Sequence, residues 1–177
     1  IGMGKTTLSK MLRILKIPVF DSDRKVKEIL EKNHEIIEKI TKTWPETLSY
    51  NKIQKKIDKV VLSDKIFKSK KERKKLEELI HPLIKKERLI FFTKYKKFSI
   101  VGMDIPLLYE TGMDKECDYI FLVNTTKKIQ EKRVLKRPNM SKKKFELINN
   151  SQWSFEKKAK ENPFIINTSL GLSLIHI

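Results

Sequence analysis

The stretch "IGMGKTT" at residues 1–7 restricts the fold more than any other part of this 177-residue sequence. Two glycines precede a lysine and two threonines, and an amphipathic run follows. In such a turn backbone N–H groups wrap phosphate oxygens, the lysine reaches the same oxygens, and the first hydroxyl meets a magnesium ion. The pattern predicts a phosphate-binding loop at the start of a helix, formed by Gly2, Met3, Gly4, Lys5, Thr6 and Thr7.

A lysine in the first turn of a helix is opposed by the positive end of the helix dipole, and a bound phosphate removes that conflict. The alternative is a plain glycine turn with an exposed lysine. The complete loop pattern places a further glycine five residues before Gly4, upstream of Ile1, and a buried strand leads into such a loop. We therefore expect a fragment that lacks its N-terminal strand and that is poorly folded or inactive.

Short apolar runs alternate with longer amphipathic runs along the chain, as is typical of a parallel sheet covered by helices. This alternation predicts an α/β fold. The predicted strands are 17–20, 98–103, 119–123 and 164–166. The predicted helices are 5–15, 24–31, 35–43, 52–67, 72–92, 127–136 and 142–160.

We predict one domain over residues 1–177, with three parts. Its core comprises 1–23, 93–126 and 161–177. The block at about 24–92 is longer than an ordinary crossover between strands needs, so it is predicted to form a helical subdomain of its own. The basic segment at about 127–160 is predicted to be a small lid over the phosphates. The final "LGLSLIHI" is interpreted as a cloning scar or as the start of a truncated terminal helix.

Lysine and arginine number 40 against 22 aspartate and glutamate, which gives a formal net charge of +18. Such an excess suits a polyanionic partner such as nucleic acid. The lysines are scattered through every helical segment, however, which favours a solvated surface aided by a phosphate-rich substrate. We therefore predict no nucleic-acid partner.

The cellular compartment is predicted from two further features. The single cysteine, Cys117, cannot form an internal disulfide. No apolar run approaches the roughly 20 residues of a membrane span. Together with the nucleotide loop, these features predict a cytoplasmic protein without a membrane partner.

Two carboxylates follow a predicted strand in "PVFDSD". Asp21 and Asp23 come directly after strand 17–20, at the edge where open α/β sheets bind ligands. If both are functional, one accepts a proton from an attacking hydroxyl and the other helps to hold the magnesium shell. The alternative is that one of them caps the following helix.

Three more motifs carry candidate residues. Asp104 ends the strand in "SIVGMD", where it would be either a carboxylate on the magnesium side or a turn-forming residue. His81 precedes Pro82 in "LEELIHPLIKKE", so it lies at a predicted kink, either as a ligand or with no role beyond the kink. Arg133 and Arg137 share a helix face, and both could reach phosphates or simply be solvated.

Taken in order, the motifs resemble those of the dephospho-CoA kinase family. The resemblance implies a P-loop NTPase fold, a three-layer α/β/α parallel sheet like that of nucleoside-monophosphate kinases. It also implies ATP and Mg²⁺ as cofactors and transfer of phosphate to the ribose 3′-hydroxyl of dephospho-CoA, the last step of coenzyme A biosynthesis. The stretches that carry it are "IGMGKTT", "IPVFDSD", "LEELIHPLI", "DIPLLYETGM", "CDYIFLV", "QEKRVLKR" and "NSQWSFEKKAKENPFIINTS".

The resemblance also implies roles for individual residues. Lys5 and Thr6 would serve ATP and magnesium, and the helical subdomain at about 24–92 would bind the acceptor. Asp23 would take the proton from the acceptor hydroxyl, and Arg137 would close over the transferring group. It would also place Asp21 beside the phosphates and His81 in the acceptor pocket of the helical subdomain. The predicted substrate-binding residues are Asp21, Asp23, His81, Leu107 and Arg133.

Other interpretations stay open at this point. The chain could be a nucleoside-monophosphate kinase of the same fold, a nucleotide-dependent nucleic-acid-binding protein, or a non-catalytic relic. Asn124 and Pro138 depart from the family pattern, which leaves the lid and the adenine contacts open. The oligomeric state and the choice between Asp21 and Asp23 as the base are also open.

Overall fold

The computed structural model describes residues 1–51, 53–138 and 140–169. The tail 170–177 and the first residue of the predicted helix 52–67 lie outside the described residues. The helices are α1 (Lys5–Ile14), α2 (Ser22–Lys32), α3 (His34–Thr43), α4 (Lys59–Lys68), α5 (Lys70–Lys94), α6 (Lys127–Leu135), α7 (Lys142–Asn150) and α8 (Phe155–Ala159). The strands are β1 (Val19–Asp21), β2 (Leu48–Asn51), β3 (Gln54–Ile57), β4 (Gly102–Asp104), β5 (Phe121–Asn124) and β6 (Phe164–Asn167).

Side-chain caps define where most helices begin. The first backbone N–H groups of a helix lack partners within the helix, and a short polar side chain just before it can accept from them. Asp21 Oδ1 accepts from Arg24 N–H at 2.9 Å, so the capping alternative is correct for this carboxylate. The side chains that cap α3 to α8 are Asn33, Asp58, Ser69, Thr126, Ser141 and Ser154.

The chain divides into two compact units. The helical unit is Ile17–Met103, and the loop unit comprises Ile1–Lys16 and the chain from Asp104 onward. The predicted boundaries of core, acceptor subdomain and lid stay predictions. In the residues that the structure describes, no helix has both the length and the apolar character needed to cross a membrane.

The helical unit is built around one apolar core. Trp44 and Ile40 are almost fully buried there, and Trp44 Nε1 donates to Glu72 Oε2 at 2.6 Å. Burial of the indole is therefore combined with a satisfied N–H group. The buried cluster consists of Ile29, Ile36, Ile37, Ile40, Trp44, Ile57, Leu62, Leu76 and Ile80.

The prediction of a helix over 52–67 is wrong for its first part. Strands β2 and β3 form an antiparallel hairpin, with Leu48 opposite Ile57 and Asn51 opposite Gln54. In β3 only Ile57 is buried, and it joins the core cluster. With one buried residue the strand has no alternating apolar pattern, so sequence periodicity could not identify it.

Parallel strand pairing confirms the α/β prediction. Strands β5 and β6 pair in parallel, in register from Phe121 opposite Phe164 to Asn124 opposite Asn167. Their bounds lie within two residues of those predicted. Strand β4 begins at Gly102, four residues later than the predicted strand 98–103. Phe98, which is half exposed, lies before it.

The predicted helix 142–160 is divided into α7 and α8. Between them Trp153 N–H donates to Glu110 Oε1 at 2.7 Å instead of to a helix carbonyl. Ser154 then caps α8 by accepting from Lys157 N–H. A tertiary contact therefore ends a pattern that is locally helical.

Candidate active site

Helix α1 begins differently from the others. Among the α-helices in the described part of the chain it alone starts without a side-chain cap, since its N-cap is Gly4. Thr7 N–H and Leu8 N–H both point back to the Gly4 carbonyl, at 2.9 and 3.1 Å. A helix start without a capping side chain leaves N–H groups and the positive dipole end for an external anion.

Both loop glycines are required by the backbone. Gly2 has φ +75° and Gly4 has φ +102°, conformations that L side chains rarely adopt. A Cβ at Gly2 would lie 2.6 Å from Val134 Cγ2, and one at Gly4 would lie 2.9 Å from the Thr168 side chain. The loop is therefore shaped by its own turn and by close neighbours from α6 and the end of β6.

Lys5 and Asp104 form an ion pair within the loop unit. Asp104 is buried at the end of β4, and its second oxygen, Oδ2, accepts from Ser9 Oγ at 2.5 Å. Ser9 is one helical turn beyond Lys5, on the same face of α1. Both oxygens of this buried carboxylate are thus satisfied by the first two turns of α1.

Two carbonyl groups of the loop accept hydrogen bonds from side chains outside the loop. Thr168 Oγ1 donates to the Met3 carbonyl at 2.6 Å, and Gln130 Nε2 donates to the Ile1 carbonyl at 2.8 Å. Arg133 in turn donates to Thr168, to Oγ1 at 3.0 Å and to the carbonyl at 2.7 Å. The predicted substrate residue Arg133 therefore contacts the support of the loop.

Arg137 lies just beyond α6 with its side chain exposed. The pKa of the Ile1 amino group is lowered, first by burial and then by the positive charges of Lys158, Arg137 and Lys5. Lys158, Arg137 and Lys5 thus all act on a charge at the start of the loop, and Glu110 acts there in the opposite direction. This is where an anion would be attracted.

A second polar cluster fixes α8 to the turn after β4. Glu110 accepts from Trp153 N–H and forms a 2.9 Å ion pair with Lys158 Nζ, both side chains being largely buried. Tyr109 stacks on Trp153 at 6.0 Å between ring centroids. Burial alone would raise the pKa of Glu110, but the hydrogen bonds from Lys158 and Trp153 outweigh it, so the pKa is lowered.

Three predicted residues lie in the helical unit and one in the loop unit. Asp21 caps α2, and Asp23 is exposed in the first turn of that helix. His81 is exposed in the middle of α5, before Pro82. Leu107 is partly exposed in the turn after β4. Their contact with a substrate stays a prediction.

The candidate magnesium ligands of the loop unit are few. Within 1–51, 53–138 and 140–169 no group of three or more histidine, cysteine or acidic side chains could hold a metal ion. Thr6 is exposed in the first turn of α1, and Asp104 contacts Lys5 in that same turn. Hydroxyl and carboxylate oxygens are the hard donors that Mg²⁺ prefers, and it usually takes its other ligands from phosphates and water. The donor set fits a metal carried in with a nucleotide.

Three residues of this site escaped sequence reasoning. Ser9 could have been identified, because its spacing of four from Lys5 places both on one face of a helix. Gln130 and Thr168 have no local signal. Thr168 is separated from Met3 by 165 residues, and only the folded chain brings them together.

The dephospho-CoA kinase family model matches residues 1–173. The chain belongs to the dephospho-CoA kinase family. The curated dephospho-CoA kinase of Zymomonas mobilis is 32% identical over 172 residues, 97% of this chain and 85% of the relative. The dephospho-CoA kinase of Bartonella quintana is 35% identical over 179 residues, which cover 99% of this chain and 89% of the relative.

Solved structures agree with this family assignment. The dephospho-CoA kinase from Campylobacter jejuni has a TM-score of 0.68 and 27% identity, covering 97% of this chain and 86% of that one. A crystal structure of a protein from Thermus thermophilus has a TM-score of 0.75 and 25% identity, and the match covers 94% of this chain and 83% of that one. The predicted P-loop fold and the predicted dephospho-CoA kinase are confirmed, and with them an ATP-dependent kinase of coenzyme A biosynthesis acting on a small molecule.

Proposed function

We propose that this chain transfers the γ-phosphoryl group of ATP to the ribose 3′-hydroxyl of dephospho-CoA, giving CoA and ADP, with the residues described above in specific roles. One observation supports these roles most strongly: the Lys5 ion pair with Asp104 at the uncapped start of α1. It brings a phosphate lysine and open backbone N–H groups, both in the first turn of α1, against a metal-side carboxylate at the end of β4. We place the reaction in the cytoplasm, in line with the single cysteine.

On the nucleotide side, Lys5 exchanges its partner when ATP binds. In this structure the ammonium group neutralises the buried Asp104 carboxylate. When the β- and γ-phosphates bind Lys5 and the N–H groups of Gly4, Lys5 and Thr6, Asp104 needs a new cation. Thr6 and Asp104 would hold a magnesium ion, which would supply that charge and help to neutralise the phosphates of the nucleotide.

On the acceptor side, Asp23 is the proposed base. Asp23 is exposed in the first turn of α2, where a carboxylate can meet a substrate, and Asp21 caps the same helix. Asp23 orients the 3′-hydroxyl and removes its proton, while Asp21, His81 and Leu107 bind the acceptor. Arg137 closes over the γ-phosphoryl oxygens and stabilises their charge in the transition state.

The test is an assay of ADP release from magnesium-ATP by the purified protein. Dephospho-CoA, nucleoside monophosphates and buffer alone are compared as acceptors, and the product is identified as CoA. The proposal expects turnover with dephospho-CoA only. Equal turnover with a monophosphate or without acceptor contradicts it.

The proposed roles are separated by three isosteric variants. Asp23→Asn is expected to lower kcat by about 10²- to 10⁴-fold, the usual range for loss of a general base. Asp21→Asn keeps a capping oxygen and loses only the charge, so it is expected to reduce turnover much less. Asp58→Asn is the matched control, since Asp58 caps α4 and has no proposed role. A larger loss in Asp21→Asn than in Asp23→Asn would assign the base to Asp21.

A further inference from the structure

A phosphate loop works only if its N–H groups face the ligand. The carbonyl groups of the same peptide units then point largely the other way. There they need donors, because buried carbonyls without a partner cost free energy. The residues that donate to loop carbonyls therefore determine how well the N–H groups are aimed. None of these residues needs to touch the nucleotide.

Thr168 is placed to do this for the centre of the loop. It is buried, and its hydroxyl has one proton to donate, with the Met3 carbonyl as the nearer acceptor at 2.6 Å and the Asn124 carbonyl at 3.1 Å. Its own N–H donates to the Asn124 carbonyl at 2.7 Å. Thr168 thus joins the end of β5 to the loop, directly against Gly4.

Arg133 fixes Thr168 in that position. Its two terminal nitrogens donate to the hydroxyl oxygen and to the carbonyl of Thr168. Because Nη1 donates to Thr168 Oγ1, the hydroxyl proton is free to point to Met3. A planar guanidinium makes this two-point contact, which an ammonium group cannot reproduce.

Helix α6 contributes two further contacts to the same loop. Gln130 uses both amide protons, one to the Ile1 carbonyl at 2.8 Å and one to Asn149 Oδ1 at 3.2 Å. Val134, fully buried, lies against Gly2. Gln130, Arg133 and Val134 therefore support the loop from one face of α6.

We infer that Thr168, held by Arg133, is a positioning residue that sets the affinity of the loop for the phosphates of ATP, and that Arg133 acts through Thr168. This rests on the proposed function only in that ATP is the nucleotide. It gives Arg133 a role distinct from direct contact with substrate. Arg137, one turn further on, is left as the arginine that meets the transferring group.

The first experiment measures ATP binding by calorimetry without an acceptor. Thr168→Val keeps the branched shape and removes the hydroxyl, and it is expected to raise the Kd for ATP about tenfold, the upper range for one hydrogen bond. Thr168→Ser keeps the hydroxyl and should stay within about twofold of wild type. Thr93→Val is the matched control, because Thr93 is exposed and its Oγ1 donates to the Leu89 carbonyl within α5.

Steady-state kinetics distinguish positioning from a general structural defect. In Thr168→Val the KM for ATP should rise with the same factor as the Kd, while the KM for dephospho-CoA stays unchanged. A parallel rise of both constants, or ATP binding equal to wild type, would overturn the inference. A wild-type enzyme that phosphorylates another acceptor would contradict the proposed function and leave this binding result in force.

A double-mutant cycle tests the route from Arg133 to the loop. Arg133→Met should weaken ATP binding about five- to tenfold in the wild-type background and less than about twofold in Thr168→Val, because its effect passes through the hydroxyl. A direct phosphate contact predicts the same loss in both backgrounds, and that outcome would refute the coupling. If Thr168→Val does not fold, Arg133→Lys provides the test. The inference expects this variant to lose as much ATP affinity as Arg133→Met. Substantial retention of ATP affinity in Arg133→Lys would contradict it.

Discussion

The two units of the molecule bury different kinds of side chain. In the helical unit the buried residues are almost all apolar, with Thr47 and Arg88 as the polar members. In the loop unit buried polar residues are as prominent as apolar ones. The polar set is Ser9, Asp104, Thr125, Gln130 and Thr168, and the apolar set is Tyr109, Val123, Val134 and Phe145.

This difference suggests that the helical unit contributes mainly to stability and that the loop unit mainly fixes the positions of atoms. Apolar burial is non-directional, so it stabilises the helical unit without fixing any one atom to a partner. Buried hydrogen bonds contribute little net free energy, but they specify where each atom lies and are costly to leave unmade. A phosphate loop needs that positional accuracy. We therefore expect changes in the loop unit to affect turnover most and changes in the helical core to affect stability most.

The largest effect is expected from Lys5→Met. Loss of one cation that stabilises the transferring phosphoryl group lowers kcat about 10²- to 10³-fold. The variant should also melt at a lower temperature, because the buried Asp104 loses its ion-pair partner and keeps only Ser9. Steady-state kinetics and thermal unfolding measure the two effects.

The double variant Lys5→Met with Asp104→Asn separates the effect on turnover from the effect on the melting temperature. Removing the orphaned charge should restore most of the melting temperature, while turnover stays as low as in the single variant or falls further, because Asp104 is also a proposed magnesium ligand. Recovery of turnover in the double variant would show that Lys5 has no direct role in phosphoryl transfer.

The next effect is on stability, from Ile40→Ala. Ile40 is fully buried in the apolar cluster of the helical unit, and truncation there costs about 3 kcal/mol of unfolding free energy. Urea denaturation measures it. Ile53→Ala is the matched control, because Ile53 is 94% exposed on the hairpin and should change stability by less than about 0.5 kcal/mol.

Nucleotide binding provides the contrast for Ile40→Ala. Below its unfolding transition the variant should bind ATP with wild-type affinity, since its cavity lies in the apolar core of the helical unit. A substantial loss of ATP affinity in the folded variant would contradict the separation of the two roles.

The sequence predicted local features well and distant contacts poorly. Gly4, Lys5 and Thr6 act through adjacent backbone and the start of one helix, so their pattern could be recognised without the fold. The hairpin around Ile57 has too little buried apolar surface to produce a periodic pattern. The contact between Thr168 and Met3 depends on the packing of β6 against the loop, which no local rule encodes.

A smaller effect is expected from the ion pair that fixes α8. Lys158→Met leaves Glu110 as a largely buried carboxylate whose Oε2 has no hydrogen-bond partner in the described structure, which should cost about 2–3 kcal/mol. Adding Glu110→Gln removes the charge and should recover more than half of that loss. Urea denaturation at neutral pH measures both, and additive losses in the double variant would contradict the pairing.

The smallest effect is a pH dependence that distinguishes this buried pair from surface pairs. The pKa of Glu110 is lowered from 4.5: burial acts to raise it, but the hydrogen bonds from Lys158 and Trp153 outweigh burial. A lowered folded-state pKa means that the folded protein holds its proton less tightly than the unfolded chain. The stabilisation by Glu110 is therefore complete above the unfolded value of 4.5 and is lost as pH falls through the lowered one.

Glu110→Gln should consequently be less stable than wild type at pH 7, and the difference should shrink steadily below about pH 4.5. Glu35→Gln is the surface control: Glu35 pairs with Lys39 and its pKa is also lowered, but its side chain is 72% exposed and screened by water. That variant should match wild type at every pH. Glu110→Gln and Glu35→Gln could instead both show a stability difference from wild type that does not change with pH. The Glu110–Lys158 pair would then contribute no more than a surface ion pair. The contrast between the polar loop unit and the apolar helical unit would then not extend to α8.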